Sequence, residues 1–243
     1  MYNEKAIKIL ARLQTDFENQ DKTGLYGLTQ YKMAYHSNHM EGSTLTEDQT
    51  AFLFDTESIG GDGEVFRSKD IEEAQGHFLM FNHMLKTMAE PLSERLVKEY
   101  HKCLKAGVFE DRANGYAIGV YKTRANRVGN IQTALPGEVP GKMQALISEY
   151  NQIGSVDYCV LARFHAEYEC IHPFQDGNGR TGRMILFREC LKNGLIPIII
   201  RDHNSVKYKL ELGKAQKTGN MQPLVSLFES EAKWYESQAE SFL

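Results

Sequence analysis

The run from His172 to Arg183, HPFQDGNGRTGR, concentrates side chains that can carry out chemistry. His172 is a candidate proton acceptor, because histidine is the side chain that ordinarily titrates between about pH 5 and 8. Asp176 supplies carboxylate oxygens of the kind that Mg²⁺ prefers. Arg180 and Arg183 add permanent positive charge. These residue types in one short run predict proton transfer on a polyanionic substrate.

The centre of this run predicts a phosphate cradle. Gly177 and Gly179 let successive backbone N–H groups turn toward one point, and a helical pattern begins directly behind them. We expect Asn178 to add a side-chain donor. Arg180 and Arg183 are three residues apart, so both point from the same side of that helix, at the end where the macrodipole disfavours cations. Two guanidinium groups beside backbone donors suit adjacent phosphates better than a single carboxylate.

Other interpretations of the run are weaker. Residues 177–182 formally match the GxGxxG dinucleotide fingerprint, but that fingerprint follows a strand, and here a helical pattern and a His-Pro pair precede it. His165 and His172 could ligate zinc, yet no third ligand stands at a suitable spacing. A polar interhelical turn with solvated arginines would be the better interpretation of an isolated Gly-Asn-Gly.

The elements that must position these side chains are helices. Apolar residues advance in alternating steps of three and four, which places them on one helical stripe, at Ile71, Ala74, Phe78, Phe81, Leu85 and Met88 and again at Leu224, Val225, Phe228, Ala232 and Tyr235. Further helical patterns cover residues 3–20, 27–41, 46–57, 93–106, 139–152, 156–171, 179–193 and 204–217. We therefore predict an all-α protein. Residues 116–132, where β-branched and aromatic residues lie among glycines, predict a short hairpin.

Composition limits the partners. With 243 residues, of which 42% are hydrophobic, the chain can bury the core of one large or two small domains. The net charge of −4 and the lack of a long basic run argue against nucleic-acid binding, and no apolar stretch is long enough to span a bilayer. We expect a cytoplasmic protein that binds no membrane. The cysteines lack paired short spacings, which predicts reduced thiols in the core, namely Cys103, Cys159, Cys170 and Cys190.

The whole run resembles the signature of the Fic (Fic/Doc) family: HPF, two residues of which the second is acidic, then GNGR and a further arginine three positions on. The resemblance covers roughly residues 35–230 and includes His165 before the signature and the downstream pattern of Tyr208, Leu212, Ala215, Gly219, Pro223 and Leu224. It implies the Fic fold, a helical bundle with a short β-hairpin flap. We expect an N-terminal helical segment at 1–34, an inhibitory helix and the following helix at 35–60, and a compact core at 61–243.

Similarity to Fic enzymes implies transfer of AMP from ATP to a Ser, Thr or Tyr hydroxyl of a target protein, or of the protein itself. His172 would take the proton of the attacking hydroxyl, and Asp176 would hold Mg²⁺ on the phosphates. The remaining signature residues would bind those phosphates, with Arg183 on the γ-phosphate: Gly177, Asn178, Gly179, Arg180 and Arg183.

The resemblance also assigns two substrate-binding elements. The upstream hairpin would be the flap that clamps an extended target segment by strand addition, with Val128, Gly129, Asn130 and Ile131 as the docking positions. An ordinary surface hairpin is the alternative. Tyr208 aligns with a family tyrosine near the adenine, although a buried tyrosine that packs on the last helices would have the same pattern.

A second segment, SNHMEG at 37–42, implies an internal brake by the same resemblance, whereas on its own Glu41 would be interpreted as a solvated glutamate. Ser37 and Glu41 are four residues apart on one helix face, and Gly42 is a natural residue to end that helix. A carboxylate in the last turn of a helix faces the negative end of the macrodipole, which invites a cationic partner. The segment resembles the motif of self-inhibited Fic proteins, with Met40 where an aliphatic residue is commoner. By that resemblance Glu41 pairs with Arg183, and the same glutamate could also help water to remove AMP from a modified target.

Two further functions stay open at the level of sequence. The chain could be an ATP-sensing interaction module with little transferase activity, although the intact His172 and Asp176 favour an enzyme. Alternatively, it could transfer another phosphate-containing group. Residues 1–26 could form a homo-oligomer surface or only pack on the core.

Overall fold

The computed structural model describes residues 3–60, 63, 65–128 and 131–243. The α-helices are α1 Glu4–Glu18, α2 Leu25–His39, α3 Glu47–Thr56, α4 Ser68–Lys86, α5 Glu94–Lys105, α6 Phe109–Ala113, α7 Val139–Asn151, α8 Tyr158–Ile171, α9 Asn178–Lys192, α10 Ser205–Thr218 and α11 Gln222–Ala239. Two short strands, β1 Arg127–Val128 and β2 Ile131–Gln132, lie between α6 and α7.

The all-α prediction is confirmed, and each predicted helix lies within a few residues of an observed one. Side chains set several of the boundaries. Thr46 and Gln49 form a reciprocal capping box at the start of α3, and Asp157 accepts a hydrogen bond from the first turn of α8. The short helix α6 was not predicted, because five residues are too few to show a helical period.

Helix α9 lies at the centre of the bundle and carries the second half of the signature run, residues 178–183. It is buried on every face, and α1, α2, α4, α5 and α8 all contact it. Phe187 packs between Phe81 of α4 and Tyr235 of α11, with ring centroids 5.7 Å away on each side. Because α9 is held from all sides, the arginines on its first turns have fixed positions.

One hydrophobic core extends from α1 to α11. Ala6, Ile9 and Leu13 of α1 are fully buried in it, so α1 packs on the same core as the signature helix. In the part of the chain that the structure describes, no helix is long and apolar enough to cross a membrane.

The region predicted as a hairpin contains one short antiparallel pairing. Arg127 is opposite Gln132, and Val128 is opposite Ile131. The predicted docking positions Gly129 and Asn130 lie outside the described residues. The use of this segment as a target-docking flap therefore stays a prediction.

The prediction of core thiols is right for one cysteine and wrong for the others. Cys190 is buried in α9, whereas Cys103 and Cys170 are only half-buried and Cys159 is exposed. Cys159 lies in the first turn of α8, next to the capping Asp157, where the helix still faces solvent. All of these thiols are free.

Candidate active site

His172 ends α8 in a left-handed conformation, with φ 51° and ψ 63°. Its N–H donates to the carbonyl of Tyr168, which completes the last helical turn, and Pro173 prevents the helix from continuing. A positive φ is uncommon for a residue other than glycine and is maintained only where the surroundings enforce it. The imidazole is thus held at the junction between α8 and the glycine-rich loop, as the sequence predicted.

The side chain of Asn178 closes this loop on itself. Its Oδ1 accepts from the N–H of Phe174 at 2.7 Å, and its Nδ2 donates to the carbonyl of the same residue at 2.8 Å. Both ends of this amide are thus engaged with Phe174 inside the loop, and its use as a donor to a bound anion stays a prediction. The backbone N–H groups of the first turn of α9 remain as the donors of the cradle.

His101, which the sequence did not indicate, supports the loop from α5. Its ring stacks on Phe174, with centroids 3.9 Å apart and planes 4° from parallel. Burial lowers the pKa of His101 to about 3, so the ring is neutral. Its Nδ1 accepts from the N–H of Gly119 at 2.9 Å, and therefore Nε2 carries the proton and donates to the carbonyl of Asp176 at 3.0 Å.

Arg180 is buried in an ionic cluster rather than exposed at the helix start. Its Nη1 lies 2.6 Å from Oε2 of Glu73, and its Nη2 lies 3.3 Å from Oδ2 of Asp176. Nη1 also contacts Oδ1 of Asn38 at 3.4 Å. Arg180 therefore links helix α4 and the segment before Glu41 to the loop.

Lys105 completes this cluster from the end of α5. Its buried Nζ lies 2.7 Å from Glu73, 2.6 Å from Asp111 and 2.7 Å from Asp176. Burial opposes ionisation of Asp176, but the charges of Arg180 and Lys105 outweigh it and hold the pKa of this carboxyl well below its usual range. The predicted metal ligand is thus an ionised carboxylate with Oδ2 turned toward two cations.

Arg183 is occupied by the segment that the sequence predicted as a brake. Its Nε donates to Oγ of Ser37 at 2.9 Å, and its Nη2 donates to the Ser37 carbonyl at 3.0 Å. The same Nη2 lies 2.7 Å from Oε1 of Glu41. The predicted pair of Glu41 and Arg183 is therefore present in the structure.

Glu41 follows the end of α2 instead of lying in its last turn, because the helix ends at His39. Residues 40–42 form a turn, and Gly42 has a φ of +94°. Burial alone would raise the pKa of Glu41, but the charges of Arg183 and Arg180 lower it below the usual value. The carboxylate that reaches Arg183 is ionised, and 32% of its side chain is still exposed.

A cavity of about 440 Å³ brings several of the predicted residues together, but Asp176 and Arg180 are not part of its lining. Its lining includes residues from the signature run, from the segment after α2 and from α10: His172, Gly179, Arg183, Glu41 and Tyr208. Glu169, Lys209 and Thr133 also line it and were not predicted. The imidazole of His172, the guanidinium of Arg183 and the carboxylate of Glu41 therefore share one space.

Tyr208 and His165 form the back of this region. Tyr208 is buried, and its Oη lies 2.6 Å from Nε2 of His165. Burial lowers the pKa of His165 to about 4, so this ring is neutral. Among the described residues no group of three or more His, Cys, Asp or Glu side chains could hold a metal ion, which gives the zinc interpretation of His165 and His172 no support.

Comparison with known proteins matches this region to the Fic/DOC family over residues 91–189. The chain is 24% identical over 200 residues to the protein adenylyltransferase Fic of Nematostella vectensis, covering 80% of this chain and 45% of that protein. It is 29% identical over 202 residues to the protein adenylyltransferase Fic of Drosophila willistoni, covering 80% of this chain and 38% of that protein. The chain thus spans less than half the length of these curated relatives.

The fold is that of a solved Fic-domain signaling protein from Bacteroides thetaiotaomicron, with a TM-score of 0.77 at 23% identity over 96% of this chain and 95% of that one. The helical bundle of this chain holds His172, Gly179 and Arg183 at one cavity, within the matched residues 91–189. The chain therefore carries a Fic/DOC domain at residues 91–189.

Proposed function

We propose that the protein transfers AMP from ATP to a hydroxyl of a protein side chain, and that Glu41 restrains this activity. The names of its relatives, protein adenylyltransferases, support the reaction class. His172, Gly179 and Arg183 around one cavity supply the groups that the reaction needs.

In the proposed reaction, the target hydroxyl attacks the α-phosphorus of ATP. Its proton passes to His172, the new bond joins the hydroxyl oxygen to AMP, and the bond from the α-phosphorus to the bridging oxygen breaks. Pyrophosphate leaves with that electron pair. Arg183 and the backbone N–H groups of the loop neutralise charge on the phosphates, and such preorganised groups provide most of the catalysis in phosphoryl transfer.

Asp176 fits Mg²⁺, the metal that ATP chemistry implies. Its carboxylate is ionised and 39% exposed, and a single carboxylate together with substrate phosphates is a usual way for proteins to hold this ion. When bound, Mg²⁺ would neutralise phosphate charge. In this chain, Lys105 and Arg180 orient the carboxylate through Oδ2.

The contact of Glu41 with Arg183 carries the proposal of a brake. A γ-phosphate bound by Arg183 would compete for the guanidinium whose Nη2 group Glu41 and Ser37 already use. ATP would therefore bind in a productive pose only after this carboxylate leaves. The restraint is intramolecular, since α2 and the turn that follows it belong to the same chain as the signature.

Intact-mass spectrometry of Glu41→Gly with ATP and Mg²⁺ tests the proposal. We expect this variant to gain AMP on itself or on added protein well above wild type, and Glu41→Gly with His172→Ala to gain none. Glu57→Gly is a matched control, because Glu57 is exposed and its positive φ suits glycine. Equal incorporation by wild type and Glu41→Gly would refute the brake. ATP binding without transfer in both would favour a nucleotide-sensing module.

The substrate elements belong to the same proposal. Residues 128–131 would dock an extended target segment, and Tyr208 would lie near the adenine. The proposal includes a second role for Glu41, in which it helps water to remove AMP from a modified target, with His172 as the acid. Wild type that releases no AMP from a pre-modified target in the presence of Mg²⁺ would exclude that role. A nucleotide panel with UTP and CTP would distinguish AMP transfer from transfer of another group.

A further inference from the structure

Glu169 faces His172 from one turn earlier on α8. Its Oε2 lies 3.6 Å from Nδ1 of His172, and only 10% of its side chain is exposed. This separation is an ion-pair contact, slightly longer than a hydrogen bond. Hydrogen bonds between catalytic groups are often long in ligand-free structures and shorten when substrate binds.

Both side chains lack a hydrogen-bond partner where they are buried. Among the described residues, Nδ1 of His172 and Oε1 of Glu169 are buried atoms without such a partner. An unpaired buried polar group is unfavourable, so a small rotation that joins Nδ1 of the imidazole to the carboxylate is favoured. The His172 ring as a whole is 18% exposed and lines the cavity, so its exposed edge lies away from Nδ1.

The surroundings keep Glu169 in place and ionised. Burial raises the pKa of its carboxyl, but the contact with His172 and the positive charge of Arg183 outweigh burial and lower it. Of the other charged or titratable groups at this cavity, Tyr208 and Lys209 lie on α10, and Glu41 lies in the turn after α2. An ionised carboxylate can only accept a hydrogen bond, and it therefore requires the proton of His172 on Nδ1.

Gly182 on α9 provides the space for this carboxylate. A Cβ at position 182 would lie 2.7 Å from Oε1 of Glu169 and 2.9 Å from the ring of Tyr168. A glycine inside a helix is less favourable than alanine, so its presence here needs a reason. The close approach of Glu169 and Tyr168 supplies that reason.

We propose that Glu169 is a positioning residue that holds the proton of His172 on Nδ1 and turns the lone pair of Nε2 toward the cavity. This role rests on the proposed AMP transfer. In that reaction the hydroxyl proton passes to Nε2, and Glu169 stays ionised and stabilises the imidazolium. A carboxylate behind a histidine acts in this way in other enzymes that use histidine as a base.

The tautomer of His172 gives a test that needs no activity. In ¹⁵N-histidine NMR spectra near neutral pH, assigned with His172→Ala, we expect the Nδ1–H tautomer in wild type and its loss in Glu169→Leu. Glu169→Gln should restore the tautomer, because its amide oxygen can still accept. Glu167→Gln, on the exposed face of α8, is the matched control and should resemble wild type.

Kinetics in the Glu41→Gly background tests the catalytic consequence. We expect Glu169→Leu to lower kcat for AMP transfer by about 10²-fold or more, with the KM for ATP nearly unchanged and partial recovery in Glu169→Gln. An unchanged tautomer or an unchanged kcat in Glu169→Leu would overturn the proposal. If Glu41→Gly itself transfers no AMP, the proposed function fails, while the tautomer still decides whether Glu169 orients His172.

Discussion

Gly179 approaches the Glu41 carboxylate so closely that a Cβ on this glycine would lie 2.6 Å from Oε1. The same Cβ would lie 2.8 Å from Nη1 of Arg183. The glycine-rich loop and the turn after α2 are therefore complementary in shape as well as in charge. Alanine at this position would have to displace the end of one of these side chains.

This contact predicts energetic coupling between positions 179 and 41. In wild type we expect Gly179→Ala to lower the free energy of unfolding, because it disturbs the pair of Glu41 and Arg183. In Glu41→Gly we expect the same substitution to be neutral or stabilising, since alanine is favoured over glycine in a helix by about 1 kcal/mol. Urea denaturation of the four proteins gives the coupling energy, expected between about 0.5 and 3 kcal/mol. Additive effects would contradict the contact.

Replacement of the buried cation Lys105 by an uncharged side chain should lower the free energy of unfolding strongly. Its Nζ contacts Glu73, Asp111 and Asp176 within 2.7 Å, and its side chain is 2% exposed. Removal of one partner from a buried charge cluster costs about 3–5 kcal/mol, because the remaining charges are left uncompensated. Thermal and urea denaturation of Lys105→Met should show that loss.

Lys69 offers the control for this experiment. It pairs with Glu110 at the surface, where 39% and 54% of the two side chains are exposed. Exposed pairs contribute about 0–1 kcal/mol, so Lys69→Met should have little effect. Equal effects of the two substitutions would contradict the importance of the buried cluster.

Buried neutral histidines predict that the protein loses stability in mild acid. Burial, aided by the charges of Arg183 and Arg180, lowers the pKa of His77 to about 3, and burial lowers that of His101 to about 3 and that of His165 to about 4. The unfolded chain binds these protons near pH 6.5, whereas the folded chain does not. Each group therefore stabilises the fold above pH 6.5 and loses that contribution as the pH falls toward its folded pKa.

His77 is the suitable position for testing this pH dependence, since both of its ring nitrogens are buried without a hydrogen-bond partner in the described part of the chain. Between pH 6 and 4.5, we expect His77→Leu to reduce the slope of unfolding free energy against pH by up to about 1.4 kcal/mol per pH unit. Denaturation in urea at several pH values measures this slope. An unchanged slope would show that His77 is protonated in the folded protein.

The sequence predicted those parts of the site that depend on local spacing. His172 at a helix end follows from Pro173, and the pairing of Glu41 with Arg183 was expected from a motif of six residues. Lys105 and His101 could not be predicted in the same way, because a lysine in a last helical turn and a lone histidine have the pattern of ordinary helical residues. Their roles arise only when α5 packs beside the loop.

The hydrogen-bond partner of the Asn178 amide could not be predicted from the sequence either. Its residue type suits an anion cradle, but the loop conformation brings Phe174 within reach of both ends of the amide. Which partner a polar side chain selects depends on backbone geometry that spacing alone does not define. The sequence thus identified the residue and missed its partner.

The turn that carries Glu41 is anchored on both sides. Lys209 of α10 donates to the Met40 carbonyl at 3.1 Å, and Arg67 donates to the Gly42 carbonyl. Asp70, which is buried at the start of α4, accepts from both the N–H and the hydroxyl of Thr44 at 2.7 Å. These contacts involve neither the glycine-rich loop nor His172, so they can be weakened without a change in the proposed catalytic groups.

Asp70→Ala should therefore release the brake in part. Loss of the Thr44 contacts, and of the partner of Arg67, makes the turn more mobile and lowers the fraction of molecules in which Glu41 meets Arg183. We expect AMP incorporation between that of wild type and Glu41→Gly, together with faster hydrogen exchange in residues 40–44. Asp55→Ala, at an exposed position on α3, is the control. Faster exchange without any increase in AMP incorporation would show that the turn restrains Glu41 by contacts other than those of Asp70.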